Sequence, residues 1–167
     1  MDWDDFKSLI SKLERDGEYK FCLLITIGVF TGLRISDLLK LRFSQFENSD
    51  ILNIQEQKTK KIRRIKINND LKEIIDRVKV KMNIVDTSQF IFLNKYGQKA
   101  IDKSYVNVKL KEIFKLYNIE LQSSVSSHLF RKTLGNRVLR LHNYSNESVI
   151  LLMELFGHSS PAITKRY

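Results

Sequence analysis

The stretch Glu18-Tyr-Lys-Phe-Cys-Leu-Leu-Ile-Thr-Ile-Gly-Val-Phe-Thr-Gly-Leu-Arg-Ile-Ser-Asp37 decides how this chain is read. From Glu18 to Phe30 nearly every residue is apolar. A helix that is apolar all round has no face for water, so this one is expected to be a buried central helix. Thr31-Gly32 stops it, and Ser36 can cap a short helix carrying Leu38, Leu39 and Leu41. Arg34 falls just after the glycine turn. A charge so close to a core requires an anionic partner. That partner is either Asp37 or the phosphate of a ligand.

On the N-terminal side, Trp3, Phe6, Leu9, Ile10 and Leu13 recur at helical intervals until Gly17. On the C-terminal side the period changes. Ile51, Asn53 and Gln55 alternate with Leu52, Ile54 and Glu56, and Ile62, Ile65 and Ile67 follow the polar stretch Gln57-Lys58-Thr59-Lys60-Lys61. Two strands joined by a basic hairpin are expected, although the usual Asn-Gly turn is missing. Asn69 or Asp70 can cap a helix with Leu71, Ile74, Ile75 and Val78 on one face, and Phe90-Ile91-Phe92-Leu93 reads as a short third strand. The second half is helical. Val106, Leu110, Ile113, Phe114 and Tyr117 form one stripe, Ser127 can cap a helix to about Leu141, and Asn146 can cap another ending at Gly157. Ser160-Pro161 suits the start of a last short helix. The expected fold is mainly α with a small three-stranded antiparallel sheet, in one domain spanning residues 1–167.

Composition narrows the function. The chain has 167 residues, 43% of them apolar, which is enough for a core without staples. A single cysteine, Cys22, excludes an internal disulfide and a multi-cysteine metal site. No run approaches the ~18 uninterrupted apolar residues of a membrane span. The acidic start Met1-Asp2-Trp3-Asp4-Asp5 is not followed by a signal-peptide core, so a cytoplasmic location is expected. Lys plus Arg is 29 against 19 for Asp plus Glu, a net charge of +10 that points to a polyanionic partner.

Two further features stand apart from the packing pattern. His128 and Arg131 share one face of a helix's first turn, where the helix N-terminus already favours anions. Gly157-His158 sits at a helix end, with Tyr167 nine residues later. On one straight helix that pair would be ~13 Å apart, so the Ser-Ser-Pro break between them lets the chain fold back.

Together these features resemble the catalytic domain of the tyrosine recombinases, the phage-integrase family. The family signature is an Arg after a Thr-Gly-Leu turn, a hairpin Lys, an H-x-x-R, a Gly-His and a Tyr nine residues beyond that His. Arg34, Lys58, His128, Arg131, His158 and Tyr167 occur here in that order, and the resemblance covers Glu18 to Tyr167. It implies a DNA breaking-and-rejoining fold that acts by phosphoryl transfer. Arg34 and Arg131 would hold the phosphoryl oxygens as charge builds on them. His158 would add another donor. Tyr167 would be the nucleophile; its reference pKa near ~10 means that a base or strong local positive charge must help remove its proton, and His128 is the expected acceptor. Lys58 would protonate the departing 5′ oxygen, leaving a 3′-phosphotyrosyl bond. Lys60 and Lys61 share the hairpin and compete with Lys58 for that role.

The resemblance implies no cofactor and no metal. It implies double-stranded DNA as partner, with other protomers joining in a synaptic tetramer in the full-length protein, and no membrane. Lys60, Lys61, Arg63 and Arg64 are candidate DNA-phosphate contacts, and Asp37 is expected to position Arg34. The chain has no room for the family's usual N-terminal DNA-binding domain, and Tyr167 is its last residue, so a catalytic-domain fragment or a coding remnant is expected. The alternative readings are an inert DNA-binding fragment and a nicking enzyme like the type IB topoisomerases.

Overall fold

The computed structural model describes residues 1–47, 49–121, 124–158 and 160–164. In chain order the elements are α1 (Trp3–Arg15), α2 (Tyr19–Thr31), α3 (Ile35–Leu38), β1 (Ile51–Gln55), β2 (Ile62–Lys66), α4 (Asn69–Lys81), α5 (Lys103–Leu116), α6 (His128–Leu141), α7 (Asn146–Phe156) and α8 (Pro161–Thr164), with a 3-10 turn at Phe43–Phe46 before β1.

The apolar helix is central, as its composition requires. α2 is buried without a break from Phe21 to Val29 and packs against α1, α4 and α6. α1 presents Phe6, Leu9, Ile10 and Leu13 to it, and Trp3 closes the edge, its ring tilted against Phe6 and edge-on to Phe30. α6 packs on α2 at Gly28. A Cβ there would lie 2.4 Å from the ring of Phe130, so only glycine lets the two helices meet at this distance. Gly32 then ends α2 in the left-handed conformation, φ +59°, with the side chains of Phe156 and Leu134 against it.

β1 and β2 pair antiparallel, with Leu52 opposite Ile65 and Ile54 opposite Arg63. Leu52, Ile54 and Ile65 face the core, and the same alternation carries Glu56 inward beyond the end of β1. The hairpin closes without Asn-Gly. Glu56 N donates to Lys61 O at 3.0 Å, Lys60 N donates to Glu56 O at 2.9 Å, and Lys60 takes the left-handed conformation at φ +59°. A longer loop of this kind replaces the two-residue turn.

Several expectations need correction. The third strand does not form at residues 90–93, and among the described residues the sheet has two strands. Phe90 and Leu93 make isolated bridges to Arg42 and Ala100, while Ile91 and Phe92, adjacent in sequence, are both buried. A strand with one face in the core cannot bury two neighbours, because successive side chains point to opposite faces. Two helix caps fall before the expected residues, and Ser36 lies inside α3, which starts at Ile35, and does not cap it. Asn68, not Asn69 or Asp70, accepts from Leu71 N at 2.9 Å. Ser145, not Asn146, accepts from Ser148 N at 3.2 Å. Ser127 precedes α6 but its side chain makes no cap; its N–H donates to Asn107 Oδ1 at 3.0 Å, tying α6 to α5. Cys22 is fully buried in the core. No described helix is long and apolar enough to cross a membrane.

Candidate active site

A cavity of about 650 Å³ opens between the α2–α3 turn, the β-hairpin, the start of α6 and the end of α7. Arg34, Lys58, His128, Arg131 and His158 all line it, with Lys61 and Lys103 beside them. Each arrives from an element whose end is fixed locally. Arg34 immediately precedes α3 after the glycine turn, Lys58 is on the hairpin tip, His128 and Arg131 occupy the first turn of α6, and His158 follows Gly157, which ends α7 at φ +62°.

Arg34 is held by a residue that sequence reasoning missed. Its Nη1 lies 2.6 Å from Glu56 Oε2. Glu56 is 1% exposed while the Arg34 side chain is 23% exposed, so the guanidinium is anchored from behind and still reaches the cavity. Thr59 Oγ1 donates to the same carboxylate at 2.6 Å, and Arg63 Nη1 donates to Oε1 at 3.3 Å. Burial opposes ionisation of Glu56, but the hydrogen bonds from Thr59 and Arg34 and the charges of Arg34 and Arg63 hold its pKa below the usual carboxylate range. The signal was present in the strand period, since Glu56 continues the inward face of Leu52 and Ile54.

Asp37 does not take the role expected of it. It is buried, and its Oδ1 accepts from the backbone N–H of Gln57 at 3.0 Å, one residue before Lys58. Gln57 Nε2 donates to Ser36 O at 2.6 Å. α3 therefore grips the hairpin tip through Asp37, while Arg34 turns to Glu56.

Arg131 is 4% exposed, with its guanidinium stacked 4.5 Å from the centre of the Phe156 ring. Its Nη2 donates to Phe156 O at 2.9 Å and lies 3.2 Å from His158 Nε2. A guanidinium offers no lone pair, so Nε2 is the acceptor in that contact. Nδ1 then carries the hydrogen and donates to Thr164 Oγ1 at 2.9 Å. Burial, followed by the charges of Arg131 and Arg34, lowers the His158 pKa. His128 is also shifted down, by partial burial and by the positive charges of Lys103, Arg131 and Lys132. Both imidazoles are thereby kept neutral near pH 7.

The other candidate residues scatter. Lys60 and Lys61 are exposed on the hairpin, and Lys61 reaches the cavity. Arg64 points outward from β2 and is exposed. Arg63 points inward; its side chain is 10% exposed, and its Nη2 donates to Thr31 O at 3.3 Å, so it faces the fold and not the surface. Strand alternation separates the two arginines, which adjacency in sequence had grouped. Lys103, in the first turn of α5, was not singled out, and nothing in its sequence context distinguishes it from other surface lysines. Tyr167 lies outside the described residues.

An all-helical scaffold around α2, with a two-stranded hairpin bringing a lysine to a basic cavity, defines a class. The phage integrase family model matches residues 1–167. The chain is 31% identical over 160 residues to the probable integrase/recombinase YoeC of Bacillus subtilis, covering 95% of this chain and 80% of that protein. It is 26% identical to the tyrosine recombinase XerH of Campylobacter jejuni, covering 87% of this chain and 40% of that protein. Among solved structures, the Tn1549 transposon integrase in complex with circular intermediate DNA superposes with a TM-score of 0.76 at 25% identity, covering 100% of this chain and 61% of that one. The XerA recombinase superposes at 0.76 and 21% identity, covering 99% and 58%. The chain belongs to the phage integrase family, and its fold is that of the tyrosine recombinase catalytic domain. It spans about half the length of several of these relatives.

Proposed function

We propose that residues 1–167 form the catalytic domain of a site-specific recombinase that cuts and rejoins double-stranded DNA through a 3′-phosphotyrosyl bond to Tyr167. One observation carries this reading. Arg34, Lys58, His128, Arg131 and His158 converge on a single cavity from four separate segments, and no carboxylate is among the described residues that line it. Such a cavity takes a phosphodiester and is built for the charge that grows in its transition state.

In this mechanism Arg34 and Arg131 hold the two non-bridging oxygens. Arg131 Nη2 gives up His158 for the phosphate. The freed His158 takes its other tautomer, donating from Nε2 to the phosphoryl group while Nδ1 accepts from the Thr164 hydroxyl, which serves either polarity. Neutral His128 accepts the Tyr167 proton. Lys58, steered by the grip of Asp37 on Gln57, donates to the departing 5′ oxygen. The covalent bond conserves the phosphodiester energy, so a second DNA end can attack it without ATP. Guanidiniums supply the charge that a metal would otherwise provide. Lys60, Lys61 and Arg64 contact flanking phosphates. The protein works in the cytoplasm, with further protomers assembled on the DNA.

The test is incubation of the protein with nicked suicide duplexes in EDTA, read on a denaturing gel. A shifted band that disappears in Tyr167→Phe supports the reading. A band that requires added metal, or persists in Tyr167→Phe, refutes it. Relaxed circles without exchanged strands would move the assignment to a topoisomerase-like enzyme, and DNA binding without any adduct would leave only a binding module.

A further inference from the structure

We propose that Glu56 is a positioning residue for this reaction, a buried carboxylate that aims Arg34 and fixes the Lys58 hairpin against the Gly157-His158 segment. The inference rests on the phosphoryl-transfer reading above. Three separate parts of the site meet at this one side chain. Arg34 Nη1 lies 2.6 Å from Oε2. Thr59, next to Lys58, donates its hydroxyl to the same oxygen at 2.6 Å. The open side of Gly157 faces the carboxylate, and a Cβ there would sit 3.7 and 3.9 Å from its two oxygens. The main chain of Glu56 also closes the loop that carries Lys58, through Lys60 N and Lys61 O.

The charge arrangement explains why a carboxylate is needed. Arg34 has to be free to bind phosphate yet held in one orientation before the substrate arrives. A buried anion between Arg34 and Arg63 does this, and Lys58, Lys61, Lys103 and Arg131 around the cavity keep it positive for the phosphate. Arg63 turns its other nitrogen to Thr31 O, at the end of α2, so the cluster is also pinned to the central helix. Glutamine at position 56 keeps the volume but loses the charge that holds Arg34.

A structural role and a positioning role separate experimentally. Glu56→Gln strands Arg63 without its charge partner, and adding Arg63→Met removes that stranded charge at similar volume. Glu56→Gln, Glu56→Gln/Arg63→Met, Arg34→Ala and Arg34→Ala/Glu56→Gln are compared with wild type. Thermal unfolding, duplex affinity and single-turnover cleavage of the nicked duplex are measured for each. Positioning gives about a 100-fold loss of cleavage in Glu56→Gln, the scale expected when a catalytic group is misplaced by about 1 Å. Arg63→Met then recovers stability without recovering cleavage, and duplex affinity changes little. Glu56→Gln adds no further loss in the Arg34→Ala background, because its effect runs through Arg34. Should Glu56→Gln alone fail to fold, the comparison is read in the double variant with Arg63→Met. Wild-type cleavage in Glu56→Gln, or cleavage that returns together with stability in the double variant, overturns the proposal while leaving the functional reading in place. Absence of any wild-type adduct overturns both.

Discussion

Replacing Gly28 with alanine should damage the active site more than the fold. A Cβ at this position would lie 2.4, 2.9 and 3.1 Å from three carbons of the Phe130 ring. Carbon atoms pack at roughly 3.5–4.0 Å, so the α2–α6 gap has to open by about 1 Å. The ring cannot simply rotate aside, since Phe130 is 1% exposed in the core. Overpacking of this kind costs about 1–3 kcal/mol. Alanine regains about 1 kcal/mol over glycine within a helix. The difference is a loss near 1 kcal/mol, or about 2–4 °C in Tm for a chain of this size. Arg131 and His128 ride on the same helix turn, and a displacement of about 1 Å there is expected to slow cleavage about 100-fold. The assay pairs a thermal melt with single-turnover cleavage on one preparation. Adding Phe130→Leu relieves the clash and should restore part of the rate. An unchanged rate in Gly28→Ala would refute the claim that the α2–α6 contact sets the position of Arg131.

Other outcomes follow from the same geometry. His128 and His158 are both held below the ordinary imidazole value near 6.5, so the unfolded chain binds protons more readily than the folded one. Stability is full above pH 6.5, falls as the pH drops through 6.5 toward the lower folded values, and levels off below them; a melt series across pH 5–8 in which Tm is flat or rises on acidification would contradict this. Cleavage should persist somewhat below pH 6.5, because His128 remains neutral there. The Cys22 thiol, fully buried and pushed up to about 12, should react with a disulfide reagent only as fast as the protein unfolds. Lys58→Ala should be rescued on a duplex whose scissile 5′ oxygen is replaced by sulfur, a leaving group that needs no acid, whereas Lys61→Ala should respond equally to both substrates; the opposite pattern would transfer the general-acid role to Lys61.

Much of this was legible in the residues themselves. A nearly all-apolar run of helical length leaves α2 no place but the centre, and the order of the basic residues, the imidazoles and the last tyrosine points to a phosphate site. What escaped was long-range. Asp37 looked like the partner of Arg34 because three residues on a helix share a face. In the structure α3 turns that carboxylate to the backbone of Gln57, and the strand end delivers Glu56 from the far side. Strand alternation had already placed Glu56 with Leu52 and Ile54, but only tertiary pairing shows that the inward face of the hairpin tip meets Arg34. The same alternation divides Arg63 from Arg64. A third strand is expected because a short apolar run suits a strand or a buried turn equally, and in the structure Ile91-Phe92 is a turn between isolated bridges to Arg42 and Ala100. The caps at Asn68 and Ser145 moved by one residue because neighbouring residues have nearly equal capping ability, and only backbone geometry chooses between them.

The most direct measurement is the identity of the atom that holds the DNA. The adduct formed on a nicked duplex is digested with protease and nuclease, and the nucleotide-bearing peptide is sequenced by mass spectrometry. The expected result is a single modified peptide in which Tyr167 carries a 3′-linked nucleotide, lost in Tyr167→Phe and strongly reduced in Arg34→Ala and Arg131→Ala. A nucleotide on any other residue, a 5′ linkage, or an adduct indifferent to both arginines would contradict the assignment of this cavity as the active site.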